Sequence, residues 1–278
     1  MISEFVHLHN HSDYSLLDGA QKVDQLVNTI DDLNMDAVAL TEHGNMFSVL
    51  PYYKQAKKAG IKPIIGCEIY VAVGSRFEKK TRSDGGWGNN HLILLAQNFT
   101  GYKNLMKLVT SGYLEGFYYR PRIDLDLLRE YSEGLICMSA CLKGVVPEKM
   151  LKGDYEGARK EALLFSEIFQ DRYYLEIQNH GIPEEEQNLK NMKKLSQDLN
   201  LPLVCTNDAH YAKKEHWEAH DIHICLGTGK ERSDPNRLRY ATPEFYFKSQ
   251  DEMHKLFKEF PGAIENTRKI ADSIDITL

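Results

Sequence analysis

Short apolar runs alternate along this chain with longer stretches whose apolar positions recur every three or four residues, the pattern of repeated β-α units. The runs predict seven strands, near residues 5–9, 37–41, 63–73, 91–96, 134–139, 173–178 and 203–207. The periodic stretches predict helices over 23–34, 49–59, 101–114, 155–168 and 184–200. In the first helix Val23, Leu26, Val27, Ile30 and Leu33 share one face, and Asn34, Gly60 and Asn200 stand where helices terminate. The polar, glycine-rich stretch 74–90 reads as a mobile loop. Beyond Lys213 the pattern is helical and irregular, with a loop at 232–242. Strands alternating with helices, without a Gly-rich phosphate turn, predict an α/β fold closed as a distorted seven-stranded barrel. It would occupy about residues 1–212, with a helical extension over 213–278, as a single domain. Barrels of this kind build their sites at the carboxyl ends of the strands.

Bulk composition narrows the class. The 278 residues are 42% hydrophobic and 27% charged, ordinary for a soluble globular protein. No apolar run approaches the ~20 residues of a membrane span, and Met1-Ile2-Ser3-Glu4 lacks the features of a signal peptide. Five cysteines, an odd number without a framework spacing, fit a reducing cytoplasm. The net charge of −6 argues against broad gripping of duplex DNA, so nucleic-acid contacts should be local or supplied by another part of a larger protein.

The chemistry gathers at predicted strand ends. His9 and His11 close the first run, and residues i and i+2 of a strand point the same way. His7 shares that face but would lie a layer deeper, as packing or as a support behind the ligands. Asp18 follows in a turn able to fold back over the barrel mouth. His43 follows the second strand, Glu68 lies in the third, and Asp208 and His210 follow the seventh. This mixture of imidazoles and carboxylates suits Zn²⁺, Mn²⁺ or Fe and is too nitrogen-rich for Ca²⁺ or Mg²⁺. A lone histidine is more often a core or surface residue, and Glu68 alone could pair with a lysine. Several clusters at successive strand ends favour a polynuclear metal site. His216, His220 and His223 keep helical spacing but lie beyond the last strand and are not assigned to a site. Glu184, Glu185 and Glu186 beside Pro183 suit a helix N-terminus and need no function.

The segments His9-x-His11-Ser12, Leu40-Thr41-Glu42-His43-Gly44, Gly66-x-Glu68, Ser139-Ala140-Cys141-Leu142-Lys143-Gly144 and Asn207-Asp208-Ala209-His210 resemble the motifs of the polymerase and histidinol phosphatase (PHP) family. The run from Tyr113 to Asp124 resembles its polymerase branch. The resemblance implies a distorted seven-stranded barrel, three divalent ions (Zn, Mn or Fe) in one cleft, and nine ligand places. These fall on His9, His11, Asp18, His43, Glu68, His91, Cys141, Asp208 and His210. His91 and Cys141 enter largely through the resemblance, and His91 opens its predicted strand where a ligand should close one.

The resemblance further implies a phosphoesterase within a longer DNA polymerase. The expected reaction is proofreading removal of nucleotides from a DNA 3′ end, with Glu68 bridging ions, Asp208 and His210 forming the opposite wall and Asp18 ligating or moving a proton. Expected partners are the rest of the polymerase chain and, through it, a proofreading subunit and a sliding clamp, with no membrane. Arg120 and Arg122 could hold phosphates; a surface ion pair explains them as well. Two other readings stay open: a scaffold that docks a proofreading subunit, and a free-standing small-molecule phosphatase.

Overall fold

One strand of the sheet runs against its neighbours, and that reversal shapes the site. The computed structural model describes residues 2–80 and 88–278. Its strands are β1 (Ala37–Leu40), β2 (Lys62–Ala72), β3 (Asn89–Ala96), β4 (Arg122–Ile123), β5 (Leu135–Met138), β6 (Tyr173–Ile177) and β7 (Leu203–Cys205). They lie in the order β1-β2-β3-β5-β6-β7, with β4 on β2, in one curled seven-stranded sheet. Pairing is parallel except that β3 is antiparallel to both β2 and β5. The mixed α/β, barrel-like architecture agrees with the sequence, with two corrections. The described residues between β2 and β3 hold no helix, so alternation is not strict. The segment 5–9 forms no regular strand, and β4 takes the seventh place.

That N-terminal segment still serves the sheet. It makes isolated bridges, His7 with Val38 and Asn10 with Ala209, so it spans the gap between edge strands β1 and β7. Backbone bonds from Ala39 to His7, Thr41 to Asn10 and His11 to Ala209 fix the join. The chain bends at His9. His7 turns away from the site, its ring edge-on to Phe5 and Phe247.

Helices α1 (Val23–Asp32), α2 (Val49–Lys58), α3 (Phe99–Leu114), α4 (Leu125–Glu130), α5 (Val145–Leu151), α6 (Tyr155–Phe169) and α7 (Pro183–Leu199) follow the strands. Then come α8 (Trp217–Thr228), α9 (Gln250–Phe257) and α10 (Ala263–Ser273). Asn34, Gly60 and Asn200 all take positive φ just past their helices, as terminators should. Asn98 and Asp124 accept backbone N–H groups at the starts of α3 and α4.

Alternation along the strands divides the core. Leu92 and Leu94 join the larger apolar layer with the helices, whereas Ile93 and Leu95 face a smaller one on the sheet's other side. Ile270, Ala271 and Ile274 from the C-terminal end complete that smaller layer. The loop expected at 74–90 falls in part on residues 81–87, outside the described residues. Among the described residues no helix is long and apolar enough to cross a membrane.

Candidate metal centre

Four histidines converge on one carboxylate. Glu68 Oε2 lies 3.0 Å from His9 Nε2, 3.3 Å from His11 Nε2 and 3.3 Å from His43 Nδ1, and Oε1 meets His91 Nδ1. Glu68 reaches them from β2, where its backbone bridges to His43. His91 comes from the start of β3. Because β3 runs backwards, its amino end stands where the other strands present their carboxyl ends, which removes the difficulty the sequence posed.

The opposite wall comes from the turn after β7. Asp208 Oδ1 lies 3.2 Å from His9 Nε2 and 3.1 Å from His11 Nε2. Asp18 Oδ1 lies 3.1 Å from His43 Nε2, and its Oδ2 is 3.9 Å from His210 Nε2. Cys141 Sγ stands 3.9 Å from His91 Nδ1. All nine sequence-derived positions thus meet in one connected cluster. His11, His43 and His210 form one tight donor group, and His9, His11, Glu68 and Asp208 another. Asp208 and Ala140, beside Cys141, hold positive φ of 45° and 64°. Non-glycine residues tolerate that conformation at a cost, commonly at functional sites.

Outer partners aim the rings. His9 Nδ1 donates to Glu176 Oε1 at 2.7 Å, and His210 Nδ1 donates to the Asp208 carbonyl at 2.7 Å. Ser15 Oγ donates to Glu42 and so accepts from His11 Nδ1 at 3.1 Å. In each case Nδ1 is engaged outward and Nε2 faces the centre, the arrangement that orients ligating histidines. Glu42 also accepts from Ser12 and Ser48, tying the His11 and His43 segments together.

Sequence reasoning missed three contributors. Glu176 is an acid inside the apolar strand β6, which could have flagged it. Tyr240 donates to His210 Nε2 at 2.8 Å and lies 3.3 Å from Asp18 Oδ2. His220 meets the Asp18 carbonyl at 2.7 Å, so one of the three unassigned histidines holds the Asp18 turn. No spacing rule reaches either of these last two.

The cluster suits cations. Buried His11 Nε2, Asp18 Oδ1, His43 Nδ1, Glu68 Oε1 and Asp208 Oδ1 have no hydrogen-bond partner. These atoms meet their neighbours in the cluster only in ionic contacts, and so many buried polar atoms without a hydrogen bond are costly unless positive charge satisfies them. Burial disfavours protonation of His9, but Asp208 and Glu176 outweigh it and hold its pKa well above the ordinary value. At His43 burial is likewise outweighed, by Asp18 and Glu68. Burial would raise the Glu68 carboxyl, yet His91 and His43 pull it well below its usual range. The site therefore demands positive charge, and its nitrogen-and-oxygen donor set fits divalent metal ions.

The two arginines separate. Arg122 is buried, its Nε donating to Gly116 carbonyl at 3.0 Å and Nη2 to Glu78 carbonyl at 2.8 Å. It braces the backbone, which corrects the expectation that it meets phosphate. Arg120 is exposed and stands 5.7 Å from the Tyr70 ring, which packs edge-on to His91.

Comparison with known proteins gives the family. A family model described as PHP domain matches residues 7–180. The chain is 52% identical to DNA polymerase III subunit alpha of Borreliella burgdorferi over 98% of its own length and 24% of that protein's. Against the same subunit of Treponema pallidum it is 47% identical, over 99% and 23%. The chain thus spans about a quarter of the length of these relatives. A solved amidohydrolase from Chromobacterium violaceum matches with a TM-score of 0.45 at 12% identity, covering 78% of this chain and 96% of that one. With a family model matching more than half of its length, the chain belongs to the PHP domain family.

Proposed function

We propose that this chain is the PHP domain of a bacterial replicative DNA polymerase III alpha subunit and acts as a metal-dependent phosphodiesterase. Its substrate is the 3′ end of DNA, trimmed one nucleotide at a time as proofreading. The observation that carries this reading is the convergence of imidazoles on the buried carboxylate of Glu68. Residues 1–278 form one domain of a longer cytoplasmic protein whose remainder performs DNA-directed DNA synthesis. That remainder contacts a proofreading subunit and a sliding clamp.

His9, His11, Asp18, His43, Glu68, His91, Cys141, Asp208 and His210 would hold three divalent ions (Zn, Mn or Fe). Such ions, when bound, supply Lewis-acid polarisation of a phosphoryl group and ease the deprotonation of water near neutral pH. Glu68, in contact with four of the rings, would be the central carboxylate ligand, with an oxygen for more than one ion. Asp208 and His210 fix the opposite wall. Asp18, beside His43 and the Tyr240 hydroxyl, ligates or relays a proton.

Elemental analysis of protein purified without chelator should find bound divalent metal. Asp208→Asn or His11→Ala should abolish removal of a mismatched 3′ nucleotide while leaving circular dichroism unchanged. Undiminished trimming by either variant would refute the site. A metal-free, inert wild type would instead favour the scaffold role, and preferential turnover of a phosphate monoester would favour a small-molecule phosphatase.

A further inference from the structure

Three aromatic rings stand in the open beside the donor cluster. Phe47, Tyr113 and Phe117 are 62%, 38% and 49% exposed. Phe47 lies 6.2 Å from Tyr113 with a tilt of 38°, and Tyr113 lies 6.2 Å from Phe117 with a tilt of 21°. Burying such rings in the core would be the usual outcome, so a row of them on the surface asks for a ligand.

The row is joined to the centre by rigid contacts. Phe47 sits four residues beyond His43, in a turn closed by Asn45, which bonds to the Phe47 N–H and the His43 carbonyl. Gly44, at a φ of 64°, leaves no room for a side chain because Pro121 and Tyr70 press against it. The segment carrying Phe117 and Arg120 is therefore seated directly on the His43 turn.

Charge decides what kind of ligand fits. Lys79 Nζ donates to the carbonyls of Glu115 and Phe117, both at 2.8 Å, which pins a cation beside the last ring. Arg120 supplies a second, exposed cation between the row and Tyr70. The nearby Glu115 carboxylate is neutralised by Arg76 at 2.7 Å. Apolar rings flanked by two cations, in a chain of net charge −6, match bases joined by phosphates better than an apolar protein face.

We propose that Phe47, Tyr113 and Phe117 form a stacking platform for unpaired nucleotides, with Lys79 and Arg120 meeting their phosphates. The platform leads a single strand toward the donor cluster. It reads no sequence, since every base offers a π face. This deepens the phosphodiesterase reading and rests on it for the fate of the strand's end.

The test is fluorescence anisotropy of a labelled oligothymidylate of about ten nucleotides with the 278-residue chain in EDTA. Tyr113→Ala and Phe117→Ala should each weaken binding by roughly 5- to 100-fold. Tyr113→Phe, which keeps the ring, and Leu114→Ala, exposed but off the row, should bind as wild type does. Thermal denaturation verifies that each variant is folded. Hydrolysis of bis(p-nitrophenyl) phosphate with Mn²⁺ should be unaltered in both alanine variants, because that substrate has no strand to be led along the rings. Equal affinity of wild type and the alanine variants, or no binding by wild type, overturns the platform and assigns the patch to protein contact. Ring-dependent binding without any phosphodiester cleavage supports the platform and removes the hydrolase reading.

Discussion

Glu176 shows how much of the centre depends on residues that never face it. Its carboxylate accepts a hydrogen bond from His9 Nδ1 and also from Gln178 and Thr206, so the ring has little freedom to rotate. Replacing it by glutamine keeps the shape and removes the charge that makes His9 a better donor. Glu176→Gln should weaken metal affinity about tenfold, measured by competition with a chromophoric chelator. Unchanged affinity would mean that His9 needs no such support. Seven of the nine inward residues were legible in the sequence because their types cluster at strand ends, whereas His91 and Cys141 came from the family resemblance. Glu176, Tyr240 and His220 were not legible. Each acts by a contact more than 25 residues away in sequence, and no short spacing records that.

At the scale of elements, hydrophobic alternation reports which face a residue takes but not which way its strand runs. The sequence therefore located the strand containing His91 and left its direction open, and β3 proved to be antiparallel. It also assigned a regular strand to residues 5–9, where two bridges and a bend suffice. Asp124 gives an element-scale prediction. It caps α4 and holds Arg76 through both carboxylate oxygens, at 2.9 and 3.0 Å. Burial would raise its pKa, but the Arg76 and Leu127 N–H groups and the Arg76 guanidinium together lower it. A carboxyl lowered on folding stabilises the protein above its unfolded pKa, and the benefit is lost as pH falls through the folded one. Asp124→Asn should cost about 1–2 kcal/mol at pH 7 in urea unfolding. It should also lose less stability than wild type as pH falls below about 4. Parallel acid slopes for the two proteins would count against this assignment.

For the whole molecule, the centre ties distant parts of the chain together, so cations should act as staples. Asp18, Glu68 and Asp208 sit close enough to repel once positive charge is withdrawn. Chelation of metal-loaded protein should lower the melting temperature by on the order of 5 °C, and re-addition of Mn²⁺ should restore it. A melting curve indifferent to EDTA would show that the donors carry no cation in the purified protein. The N-terminal segment that spans β1 and β7 has a consequence for biosynthesis. His11 leaves the ribosome nearly two hundred residues before Asp208, and Val6 donates to Thr267 later still. At synthesis rates of about 5–20 residues per second that delay is roughly 10 to 40 s. Through that interval His9 and His11 wait without Asp208, so metal capture at this centre would mark the end of the chain's birth.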